Sequence, residues 1–131
     1  MFISNFRKEA LERLGLGPAR MHEQHPHLVI CVMTGRGFDG PQAHKPTYDI
    51  AGFWALSGAA HTHTAKTKRG KELQKGNPPI LAPGFGDLTP GLAAVGGVTS
   101  ALFQRARTGK GRVLTTRSAR PSVRPSFRSR I

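Results

Sequence analysis

The chain has 131 residues, enough for one modest domain. Twenty Lys and Arg against seven Asp and Glu give a net charge of +13, and six of those positive charges lie in residues 112–131, which contain no acid. One cysteine, Cys31, excludes an internal disulfide framework and fits a reducing cytoplasm. No apolar run reaches membrane-span length, and the N-terminus lacks the continuous apolar region of a signal peptide. The expected location is therefore cytoplasmic, with no membrane partner.

Phe2-Ile3 reads as the end of a strand. Ser4 and Asn5 are capping residues, and a helix is predicted over 5–14, with Ala10, Leu11 and Leu14 on one face and Gly15, Gly17 and Pro18 as its stop. Met21–His27 reads as a polar connector. Residues 28–33, LVICVM, form the uninterrupted apolar run of a strand buried on both faces, with Cys31 as a core thiol. Thr34–Pro41 is a glycine-containing loop at the end of that strand, where open α/β sheets place ligands. A second helix, carrying Ile50, Phe53, Trp54 and Leu56, is predicted over 48–57.

His61 and His63 alternate with threonines. Two histidines without a third ligand cluster do not make a metal site, so no metal is expected. Lys66, Lys68, Arg69, Lys71 and Lys75 read as a solvated basic loop. The longest element follows Pro83-Gly84-Phe85-Gly86. A helix is predicted over 90–107, with Pro90 in its first turn, Leu92, Val95, Val98, Thr99, Leu102 and Phe103 at helical spacing, and Gly109 as its stop. Asp87 then stands at its positive end, beside glycines that permit close approach. An aspartate there is ordinarily a cap. It is also placed to act as a nucleophile. Val113–Thr116 can be a strand. Residues 117–131, rich in Arg, Ser and Pro, are expected to be disordered.

Taken in order, these segments resemble the class III CoA-transferase family, the formyl-CoA transferase and CaiB/BaiF group. The likeness rests on Ser4-Asn5-Phe6-Arg7 with Ala10–Leu16, His25–Pro41, Pro46–Asp49 with Ser57-Gly58, Gly86–Gly91 and Ala101–Gly111. It implies an α/β fold: an incomplete piece of the family's large domain over 1–116, followed by a disordered basic tail over 117–131. It implies a chemistry in which Asp87 attacks an acyl-CoA thioester, passes through an aspartyl anhydride and an aspartyl-CoA thioester, and delivers CoA to a carboxylic acid. It places Asn5, Phe6, Arg7, Arg13, Tyr48 and Asp49 at the coenzyme A site. A lysine sometimes found before the tyrosine position is absent here, where the residues are Pro46-Thr47. CoA is then a substrate, with no prosthetic group. Full-length relatives are interlocked homodimers, and the isolated chain is not expected to turn over.

Two other readings remain open. Racemases share the fold but carry histidine where this chain has Tyr48, and tyrosine, with an ordinary pKa of about 10, is a poor base near neutrality. The charge and tail also suit a small nucleic-acid-binding protein. Against that, aromatic residues are few and no nucleic-acid motif is present, so nucleic acid is not the expected partner.

Overall fold

A computed structural model describes residues 1–60, 84–118 and, as backbone, 123–125. In chain order the elements are β1 (Phe2–Ser4), α1 (Lys8–Arg13), α2 (Pro18–Gln24), β2 (Ile30–Thr34), a π-helix (Ile50–Ala55), α3 (Phe85–Thr108), β3 (Val113–Arg117) and β4 (Val123–Pro125). The strands form one sheet in the order β1-β2-β3-β4. The first three are parallel, and β4 runs antiparallel to β3. Ile30 is flanked by Phe2 on one side and Val113 on the other.

Side chains alternate across a strand, so β2 serves both faces. Cys31 joins Val29, Leu114, Ala94, Val98 and Ala101 beneath α3. Ile30 and Val32 join Leu11, Met21 and Val113 beneath α1 and α2. The apolar run read from the sequence is thus covered by helices on both sides, as a parallel sheet requires. Pairing starts two residues later than predicted, at Ile30, although the Val29 carbonyl already accepts the Phe2 N–H at 2.9 Å.

Several boundaries differ from the sequence reading. The helix expected over 5–14 begins only after Arg7, which is extended (φ −64°, ψ 153°). Ser4 Oγ accepts the Phe6 N–H at 3.1 Å, a local turn that competes with helix entry. The expected connector at Met21–His27 is largely helical, because Gly17-Pro18 starts α2 and Pro18 needs no N–H donor at its first position. The predicted helix over 48–57 is a π-helix over Ile50–Ala55, with Gly52 and Trp54 buried. Gly52 lies so close to Thr47 that a Cβ there would overlap Thr47 Cγ2.

The longest helix starts at Phe85, five residues before the predicted 90. Gly84 supplies a left-handed turn (φ 85°) that launches it early. Pro90 is therefore inside the helix. Its missing N–H leaves the Gly86 carbonyl without the usual partner one turn on. Gly109 ends the helix at φ 71°, with its N–H on the Arg105 carbonyl at 2.8 Å. Within the tail expected to be disordered, Val123–Pro125 pairs with β3, because β3 otherwise presents an open ladder edge.

Candidate functional site

The chain leaves β1 at Ser4 and β2 at Thr34, so the segments that follow both emerge at the carboxyl ends of parallel strands. Between them lies a cleft of about 180 Å³. Asn5, Arg7, Lys8 and Glu9 line it from the first segment, and Thr34–Phe38 and Lys45–Tyr48 from the second. Crevices at this end of an open sheet are where α/β folds bind ligands.

Hydrogen bonds fix the second segment. Thr34 Oγ1 donates to the Thr116 carbonyl at 3.1 Å and accepts the Gly37 N–H at 2.9 Å. Arg36 Nε donates to Thr47 Oγ1 at 2.8 Å, and Arg36 Nη1 bonds Gln42 Oε1. Gly35 lies so near Thr47 that a Cβ there would overlap its side chain. The loop is thus pinned at Thr34 and again at Thr47, immediately before Tyr48.

Asp49 carries the arrangement to α3. Its Oδ2 accepts the Gly84 N–H at 2.8 Å across 35 residues of sequence. A Cβ on Gly86 would overlap Asp49 Oδ1 and Phe53 Cβ, so glycine is what lets the π-helix sit against the start of α3. The Phe53 and Phe85 rings meet edge to face at 6.0 Å. Asp87 is the third residue of α3. Its N–H goes to the Gly84 carbonyl at 3.1 Å, and its exposed carboxylate accepts no hydrogen bond among the described residues. Gly84, at the N-cap, makes no side-chain cap hydrogen bond, and its own N–H is taken by Asp49. Asp87 is left free at the positive end of a 24-residue helix.

The residues named from sequence divide accordingly. Asn5, Arg7 and Tyr48 line one cleft. Tyr48 is 86% exposed. Asp49 faces α3 and is not among the cleft-lining residues. Phe6 is exposed and Arg13 sits in the last turn of α1, and neither lines the cleft. Thr47, of the Pro46-Thr47-Tyr48 segment that the resemblance places at the coenzyme site, lines it too; Arg36 and Lys45 also line it and are not among the residues named from sequence, although Arg36 lies in the ligand-side loop Thr34–Pro41. His61 and His63 lie outside the described residues. Among those described, no three His, Cys, Asp or Glu residues cluster as metal ligands, and no helix is long and apolar enough to cross a membrane. Burial raises the Cys31 thiol above its ordinary pKa.

With this geometry in hand, comparison with known proteins is direct. A family model described as CoA-transferase family III matches residues 1–125. The (R)-2-hydroxy-4-methylpentanoate CoA-transferase of Clostridioides difficile is 33% identical over 116 residues, which is 88% of this chain and 27% of that protein. The succinyl-CoA:glutarate CoA-transferase of Mus musculus is 35% identical over 111 residues, 85% of this chain and 23% of its own length. The human alpha-methylacyl-CoA racemase is 32% identical over 114 residues, 87% of this chain and 28% of its length. Among solved structures, a CaiB/BaiF family protein from Brucella suis superposes with a TM-score of 0.66 at 31% identity, over 85% of this chain and 27% of that one. The chain spans about a quarter of the length of the curated relatives it matches.

Proposed function

The chain belongs to CoA-transferase family III, and from that premise we propose that it supplies the nucleophile and part of the coenzyme A wall of an acyl-CoA:carboxylate CoA-transferase. The observation that carries this reading is the exposed Asp87 carboxylate on the first turn of α3, which caps nothing there, while Asp49 takes the Gly84 N–H just before it. Asn5, Phe6, Arg7, Arg13, Tyr48 and Asp49 form the coenzyme side, with Asn5, Arg7 and Tyr48 in direct reach of the cleft.

The chemistry needs an ionised carboxylate and donors for a tetrahedral oxyanion. Asp87 attacks the thioester carbonyl of the donor, the C–S bond breaks, and CoA leaves as thiolate with an acyl-aspartyl anhydride behind. The thiolate then attacks the aspartyl carbonyl and releases the donor acid, which leaves CoA on Asp87 as a thioester. The acceptor carboxylate attacks that thioester and expels the thiolate. The thiolate closes the cycle on the acceptor's acyl carbon and frees Asp87. The N–H groups of Phe85 and Gly86, at the open end of α3, are the donors nearest in sequence for the oxyanions. Coenzyme A enters and leaves as substrate.

The test is a chimera. The segment of the C. difficile relative that matches this chain is replaced by this chain, and CoA transfer between acids is assayed. The wild-type chimera is expected to transfer CoA. Asp87→Asn is expected to cut kcat by at least a thousandfold while folding survives, because asparagine keeps the shape but cannot form the anhydride. Near-normal transfer by Asp87→Asn would refute the assignment. Exchange of an α-proton without CoA transfer would make the chain a racemase segment, with Tyr48 as the acid or base.

A further inference from the structure

One cation of the cleft is built differently from its neighbours. Arg36 is half-buried, and both groups that orient it, the Thr47 hydroxyl and the Gln42 amide, are neutral. A guanidinium has five N–H donors, so three remain. The ion pair found among the described residues is Lys8–Glu12 at 4.0 Å, and Arg36 has none. Glu9, the acid of the cleft lining, makes no ion pair with it. Thr47 is itself wedged, with its side chain filling the space beside Gly35 and Gly52 that a Cβ would need. Arg36 is therefore held by a fixed anchor while its charge stays uncompensated. An arginine that merely latched a loop would gain more from a carboxylate partner.

We propose that Arg36 is the fixed phosphate-recognition residue of this cleft and takes a phosphoryl group of the coenzyme A substrate. The inference rests on reading the cleft as coenzyme A wall. The lining sets Arg7, Lys8, Arg36 and Lys45 against Glu9, a balance suited to a multiply charged anion rather than a single carboxylate. A planar fork held in place loses little freedom when it closes on phosphate oxygens. Thr47 acts through Arg36 and is a positioning residue.

The test measures binding to the full chain, at one ionic strength, of three probes: coenzyme A, ADP and pantetheine, which has no phosphate. The variants are Arg36→Gln, Arg36→Lys and Thr47→Val, each checked for native circular dichroism. Arg36→Gln is expected to weaken coenzyme A and ADP about tenfold and to leave pantetheine unchanged. Arg36→Lys should recover only part of the loss, since an ammonium lacks the fork. Thr47→Val keeps the wedge and removes the acceptor, so it should weaken the phosphate probes by less and in the same direction. Equal weakening of pantetheine, or no change for coenzyme A and ADP, would overturn the proposal while the coenzyme A reading stands. Arg36-dependent ADP binding, with coenzyme A no tighter than ADP and the chimera inactive, would uphold the phosphate site and remove the coenzyme A reading. Binding of none of the three probes would overturn both.

Discussion

A single methyl group added at Gly86 would overlap both Asp49 and Phe53. Neither can retreat easily, since Asp49 is held by the Gly84 N–H and Phe53 by the Phe85 ring. Gly86→Ala should therefore cost about 1–3 kcal/mol, read as a lowered midpoint in denaturant melts. Asp49→Asn is milder: its amide oxygen still accepts from Gly84, and what is lost is negative charge at the positive end of α3, about 0.3–1 kcal/mol. Cys31 is fully buried, with its thiol pKa raised by desolvation. The folded state thus holds the thiol proton more tightly than the unfolded chain. That contribution is complete below the unfolded thiol's pKa and is lost as pH rises through the folded value. Thermal melts across the alkaline range should show stability falling there, and Cys31→Ala should flatten the fall. Asn5 and Arg7, named from one short motif, and Tyr48, named from another, line the same cleft. The bond from the Gly84 N–H to Asp49 joins residues 35 apart, a pairing that no local pattern spans.

The long helix shows why periodicity finds an element more readily than its orientation. Apolar residues occupy more than one stripe of α3. Val98 is buried and Leu102 half-buried as the spacing suggested, but Leu92, Val95 and Phe103 are 74%, 60% and 66% exposed. The face that meets the sheet is made of small residues, Ala94, Val98 and Ala101, so the helix backbone can approach the strands closely, while Gly86 is buried against the π-helix. Ala94→Leu should then overpack the contact and cost about 1–3 kcal/mol. The paired change Leu92→Glu and Val95→Lys should stay within about 0.5 kcal/mol per site and lower binding of a hydrophobic dye. If the paired change proved the more damaging in denaturant melts, the assignment of faces would be wrong. α2 was missed because it buries little beyond Pro18 and Met21, too few positions to show a period. β4 was missed because its three residues owe their conformation to the edge of β3 rather than to their own composition.

At the scale of the molecule, two small clusters sit on either side of a four-stranded sheet. β1 is an edge strand, and Ile3 on it is 50% exposed. A chain with this much open apolar surface and edge should unfold with a broad transition whose midpoint depends on protein concentration. A sharp, reversible and concentration-independent melt would contradict that. The parallel sheet and its two-sided cover follow from the apolar run at 28–33 and were legible in it. The cleft was legible only in part, because Arg36 and Thr47 meet through a fold-back of the loop. The central claim is that Asp87 bonds covalently to acyl group and CoA in turn. Its most direct measurement is peptide mass spectrometry of the wild-type chimera, quenched with hydroxylamine during turnover. The account predicts a hydroxamate on Asp87 and on no other carboxylate, absent when acyl-CoA is omitted. An adduct on Asp49 instead, or no adduct while CoA transfer proceeds, would contradict it.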